Sequence, residues 1–262
     1  MIPFRSFYLN APIVSGRILD IFETKQPEQD IALFFVHGGG WTGGSRTIFH
    51  SIALAFRERG FEAASTDYRL GGANLFAQVQ DVRDALALFA ADRERRNRST
   101  RIVLIGSSAG AHLALLAALR PHSESPSYHI AGICVQAAPF TFEPWPDIFP
   151  AIWQAMQAAV GSAYEQRPDL YREASPIHHV TESTPPILAL HAENEHMFPL
   201  SQIEMFARKA SECGTLVKLK TYARTEHGFF YSLDRWQQKE AFQDILHFIE
   251  SLPSEKNSSK EP

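Results

Sequence analysis

Residues 101 to 119 constrain the fold of this chain more than any other stretch. Arg101-Ile-Val-Leu-Ile105 is β-branched and apolar, and Ala109 to Leu119 is almost wholly apolar over a helical length. The first reads as a strand and the second as a helix buried all round. Between them stands Gly106-Ser-Ser-Ala-Gly110. So tight a passage from strand to helix strains its central residue, and flanking side chains clash unless they are small. Gly106 and Gly110 leave that room, so Ser108 is thrust out at the end of a sheet. The helix start beneath it aims free N–H groups at any negative charge forming there. Ser107 is adjacent, but only Ser108 stands between the glycines.

The remaining chain alternates in the same manner. Ile31-Ala-Leu-Phe-Phe-Val36 is a continuous apolar run, as in a strand buried on both faces. Further strands are predicted at Phe61–Thr66, Ile130–Gln136, Ile187–His191 and Thr215–Lys220, the last with the alternation of an edge. Helices are predicted from about Ser51 to Arg59, Asp81 to Ala91, Pro199 to Cys213 and Leu233 to Ser251. This rhythm predicts an α/β fold whose mostly parallel central sheet has helices on both faces. Residues 139–186 break it with eight prolines and several aromatic residues. They read as a small cap-like insertion over one sheet end, where active sites of such folds gather. At 262 residues the chain fits one domain over 1–252, with 253–262 a polar tail expected to be disordered.

His37-Gly-Gly-Gly-Trp41 follows the buried run ending at Val36. Successive glycines let backbone N–H groups approach a substrate oxygen with no side chain between. Gly39, Gly40 and Ala109, the residue after the serine, are therefore the candidate oxyanion-hole donors. His37 and Trp41 are candidate pocket residues, as are Trp145, Trp153 and Phe229. With Phe140, Phe142 and Phe149, the two later tryptophans either cover an acyl pocket or form the insertion's own small core.

Together, His37-Gly-Gly-Gly-Trp41, Asp67-Tyr-Arg-Leu70 and Gly106-Ser-Ser-Ala-Gly110 resemble the HGGG-class α/β-hydrolases, the hormone-sensitive-lipase-like carboxylesterases. Tyr171-Arg-Glu-Ala-Ser-Pro176 and Pro185-Pro-Ile-Leu-Ala-Leu-His191 extend the likeness, which runs from about Ile31 to Phe248. The glycine loop begins at residue 37, leaving little room for the N-terminal cap helices of larger members, so small substrates are expected. In this compactness the chain is also similar to kynurenine formamidase, which has Tyr where Gly40 stands here. The resemblance implies the order serine, acid, histidine. His227, in Glu226-His-Gly-Phe-Phe230, matches the family's His-Gly-Phe and is the base a serine hydroxyl needs. The family usually places Gly-x-x-Asp, an apolar residue and Pro after the preceding strand. Setting Pro199 on that proline puts Glu195 at the acid position, with Glu193 as its rival.

The expectation is thus a serine hydrolase that cleaves esters of small acyl groups through an acyl-enzyme. An arylformamidase on the same fold is the alternative. A non-catalytic binding protein is less in keeping with a chain that retains both serine and histidine. A net charge of −4 gives no electrostatic reason to expect nucleic acid or an anionic membrane surface. Two cysteines without Cys-x-x-Cys spacing suggest neither a disulfide framework nor a zinc ribbon. His191, Glu193 and His196 specify a metal site poorly, so no cofactor or metal is expected. The start carries no basic segment followed by an apolar core, which predicts no signal peptide and a cytoplasmic protein. His112 reads as a packed, hydrogen-bonded histidine, His178 and His179 as surface or capping residues, and Arg93–Arg98 as a solvated helix end.

Overall fold

In the computed structural model, eight strands among the described residues form one sheet: β1 (Arg5–Tyr8), β2 (Ile18–Phe22), β3 (Ala32–Val36), β4 (Ala63–Thr66), β5 (Arg101–Ser107), β6 (His129–Gln136), β7 (Ile187–Asn194) and β8 (Val217–Glu226). Residues 4–9, 17–24, 29–70, 72, 74–122 and 125–253 are described. The tail expected at 253–262 lies outside them apart from Pro253. The spatial order is β1-β2-β4-β3-β5-β6-β7-β8. β2 runs antiparallel to both β1 and β4, and the six strands from β4 to β8 are parallel.

Among the described residues, seven α-helices cover the sheet: α1 (His50–Arg57), α2 (Leu75–Arg95), α3 (Ala109–Leu119), α4 (Pro150–Val160), α5 (Pro168–Glu173), α6 (Leu200–Glu212) and α7 (Trp236–Glu250). The alternation of β3 shows how the layers are built. Ala32, Phe34 and Val36 face the core shared with α2, α3 and α6, while Leu33 and Phe35 face that shared with α1 and α7. Both faces are dry, which explains why the strand reads as continuously apolar. The prolines of segment 139–186 acquire a structural meaning. Pro150, Pro168 and Pro176 each open a helix or a one-turn 3-10 helix, where a missing N–H costs nothing.

Beyond the ends of individual elements, two features depart from the sequence reading. The antiparallel strands β1 and β2 were not foreseen, because β2 carries Asp20 in the middle of an apolar run. That carboxylate is fully buried and accepts from Ser6 Oγ (2.6 Å), Arg46 Nε (2.7 Å) and His50 Nε2 (2.9 Å). Burial would raise its pKa, but these hydrogen bonds and the Arg46 charge hold it below the ordinary value. The second departure is the basic run at the end of α2, which is not a solvated helix end. Arg93 is buried and pairs with the buried Glu62, which Arg96 Nη1 also reaches at 2.6 Å. Among the described residues no helix is long and apolar enough to cross a membrane.

Removing one member of a buried pair strands the other charge at a cost of about 3–5 kcal/mol. Glu62→Gln is therefore expected to lower unfolding stability by about that amount, read as a reduced urea midpoint at constant slope.

Candidate active site

Ser108 joins β5 to α3 with φ 54° and ψ −123°, a left-handed conformation uncommon for any residue but glycine. Its neighbours explain how the strain is held. A Cβ on Gly106 would lie 2.6 Å from Ala111 Cα, and one on Gly110 would collide with the carbonyl oxygens of Val36 and His37. Any side chain at either position would push the helix from the sheet. The Ser108 N–H donates to Gln136 O at 2.8 Å, anchoring the turn on β6.

β7 and β8 both run beyond their predicted ends and carry two further side chains to the same edge. His227 follows β8, and its Nε2 lies 2.9 Å from Ser108 Oγ. Its Nδ1 lies 3.0 and 2.9 Å from Glu195 Oε1 and Oε2. The Glu195 side chain is wholly buried and accepts from the Met197 N–H at 2.9 Å. Burial would raise its carboxyl pKa. The His227 hydrogen bond and charge, with the backbone N–H groups of Met197 and Phe198, bring it below the ordinary value. An ionised Glu195 fixes the imidazole proton on Nδ1, leaving Nε2 free to accept from the serine hydroxyl. Glu193 is elsewhere: it is exposed and accepts from the Arg224 N–H at 2.7 Å.

The glycine loop after β3 packs against this turn. A Cβ on Gly38 would lie 3.2 Å from Ser108 Cβ and 2.7 Å from Tyr231 Oη. Gly39 has φ 130°, and a Cβ there would collide with Gly43. Among the described residues, hydrogen bonding leaves the N–H groups of Gly39, Gly40 and Ala109 unused. Residues distant in sequence hold the loop from behind. Tyr68 stacks on His37 at 4.3 Å and its hydroxyl donates to His37 O at 2.9 Å. Asp67 accepts from Arg46 N (2.7 Å) and Nη1 (2.6 Å), and Gln78 Nε2 donates to Trp41 O (2.7 Å). The sequence reading missed Arg46 and Gln78, since only the folded loop shows what they touch.

The expected pocket residues separate into two groups. His37 is buried, with Nδ1 donating to Gly38 O at 2.7 Å, and burial lowers its pKa. Trp41 is buried edge-on against His112 and Phe142. Trp153 packs on Tyr164 and Tyr171 within the insertion. The contacts of these three are thus with neighbouring aromatic rings. Trp145 instead lines a cleft of about 380 Å³ with Pro144, Pro199 and Met205. Phe229 lines one of about 540 Å³ with His227, Arg224 and Arg235. The buried Phe198 ring lies 6.3 Å from that of Trp145 and 5.8 Å from that of His227. Phe140 and Phe142 belong to the core, whereas Phe149 is half exposed. No group of three His, Cys, Asp or Glu side chains among the described residues could hold a metal ion.

His112, within α3, is a packed histidine. Trp41 Nε1 donates to its Nδ1 (3.3 Å), its Nε2 donates to Ala174 O (2.7 Å), and Phe142 stacks on it at 4.2 Å. Complete burial pushes its pKa down to about 3. The folded ring therefore stays neutral while the unfolded one gains a proton below about pH 6.5. Its contribution to stability is present above that pH and is lost between there and about pH 3, at up to ~1.4 kcal/mol per pH unit. In His112→Gln, which keeps one donor and one acceptor but does not titrate, the fall in urea-unfolding stability from pH 7 to 5 should be correspondingly shallower.

Comparison with known proteins finds similarity over most of this chain. The family model described as BD-FAE matches residues 19–210. Esterase LipC of Mycobacterium tuberculosis is 26% identical over 209 residues, covering 74% of this chain and 52% of that protein. Esterase LipQ of the same organism is 30% identical over 194 residues, covering 70% and 46%. The chain thus spans about half the length of the curated relatives it matches. Among solved structures, Thermogutta terrifontis esterase 2 phosphonylated by sarin superposes with a TM-score of 0.80 at 20% identity, covering 95% of each chain.

Proposed function

The chain belongs to the BD-FAE family of α/β-hydrolases, and from that premise we propose that it is a serine carboxylesterase. The observation that carries this reading is the relay in which His227 Nε2 stands 2.9 Å from Ser108 Oγ while buried Glu195 holds Nδ1. Ser108 Oγ attacks the ester carbonyl carbon as its proton passes to His227 Nε2, and Glu195 stabilises the imidazolium that forms. The carbonyl oxygen, now negative, turns to the unused N–H groups of Gly39, Gly40 and Ala109, each such donor typically contributing about 3 kcal/mol. The C–O bond breaks, the alcohol leaves with the proton from His227, and an acyl-serine remains. Water then attacks the acyl carbon, giving its proton to His227, and the acid departs as Ser108 is reprotonated. The relay's need for a neutral imidazole makes the reaction slow when His227 is protonated.

The substrates proposed are small-molecule esters with short acyl groups. Phe198, whose ring lies 5.8 Å from the His227 imidazole, supports this by taking up space beside it. The location we propose is the cytoplasm, a reducing compartment suited to the unbridged Cys134 and Cys213.

Ser108→Ala is expected to abolish hydrolysis of p-nitrophenyl acetate, and unchanged turnover would overturn the reading. Glu195→Gln should lower kcat by about 10²–10⁴-fold, whereas Glu193→Gln should stay within about threefold of the parent. A rate loss confined to the Glu193 variant would reassign the acid. Adding N-formylkynurenine and a series of acyl lengths to the same assay measures ester against formamide preference and the limit on chain length.

A further inference from the structure

The relay is set by a polar side chain to which the chemistry above gives no part. Gln136 ends β6, is only 2% exposed, and lies 28 residues from Ser108 in sequence. Its backbone carbonyl already holds the Ser108 N–H at 2.8 Å. With its amide oriented to satisfy both ends, Oε1 accepts from the N–H groups of Gly228 and Phe229 at 2.9 Å each, while Nε2 donates to Ser107 Oγ at 2.8 Å. These partners are the two residues after His227 and the one before Ser108. One rigid planar group therefore spans the two halves of the relay at the points where each enters it.

The surroundings leave this group little freedom. Ala137, next in the chain, is buried in the left-handed region with φ 51°, a conformation that persists only where neighbours over-determine it. On the other side of Ser107, the Tyr231 hydroxyl meets Ser107 and the Gly38 backbone, so the brace continues to the glycine loop. A displacement of the Gly228–Phe229 amides moves His227 with them.

We propose that Gln136 is a positioning residue, whose amide fixes the His227 imidazole on Ser108 by gripping Gly228, Phe229 and Ser107 together. It touches neither substrate nor reacting atoms, and it acts through the distance between Nε2 and Oγ. The proposal rests on the serine-esterase reading, which the experiment tests separately.

The test is titration of the purified protein with a chromogenic organophosphonate, which labels an activated serine. The amplitude counts competent sites, and the rate constant reports the reactivity of each. Gln136→Met keeps the volume but offers no acceptor to the two N–H groups, and a misplacement near 1 Å costs up to about 100-fold in rate. Its labelling rate constant per site should fall about 10- to 100-fold, with kcat for p-nitrophenyl acetate falling in step and KM little changed. Gln136→Glu should recover most of that loss, because a carboxylate accepts from the same N–H groups and from the Ser107 hydroxyl. Ser107→Ala, which removes one arm, gives a second reading should Gln136→Met fail to fold, and should show a smaller fall in the same direction. Per-site rate constants within about twofold of the parent in both Gln136→Met and Ser107→Ala would overturn the proposal, even if amplitude or melting temperature dropped. Failure of the parent protein to be labelled at Ser108 would instead overturn the esterase reading itself.

Discussion

The close approach of two backbones governs this site. Gly110, in the first turn of α3, presses so tightly on the carbonyls of Val36 and His37 that no side chain fits between them. That contact brings the start of the helix against the end of β3, and three consequences follow from it. The Ala109 N–H comes to the same corner as the loop of Gly39 and Gly40. Ser108 must turn out of the strand within one residue, at φ 54°. The helix is buried nearly all round, between the sheet and segment 139–186, and is apolar except for His112. Sterics at one glycine thus decide the direction of the serine, the position of the amides and the composition of the helix that follows.

Charge plays a second part, away from the chemistry. The glycine loop has almost no side chains to hold it, so its shape comes from what lies beneath. Asp20, Arg46, His50 and Asp67 form a partly buried polar cluster joining β2, the 3-10 turn after the loop and the end of β4. Such a cluster contributes little net stability, because desolvation offsets much of the attraction. Its directional bonds fix where the loop leaves the sheet, which apolar packing alone does not. The stacked pair Tyr68 and His37 does the same for the loop's first residue.

Periodicity made much of this legible from sequence. The buried helix occupies Ala109–Leu119, the residues its apolar run marks out, and the central strands lie within a few residues of their predicted places. Short-range turn chemistry likewise located Ser108 and the glycine loop. Residues whose partners are remote were harder. Asp20 disguised β2 because its cationic partners come from 26 and 30 residues away. Arg93 looked like a solvated charge because Glu62 is 31 residues upstream. Glu195 and Glu193 were separable only once the loop showed which of them meets His227 Nδ1 and which meets the Arg224 N–H. His37 and Trp41 flank the glycines of the loop, and only the rings of Tyr68 and His112 reveal that they face inward.

The three side chains of the relay are held by unlike means. The serine is locked by steric exclusion at two glycines, with no tolerance for any added atom. The glutamate hangs from a short loop after β7 and is secured by two backbone amides and one imidazole. The relay therefore has a stiff end and a compliant end. Over evolutionary drift, an acid of different length can be exchanged by re-spacing a few loop residues, while the serine's turn admits no comparable repair.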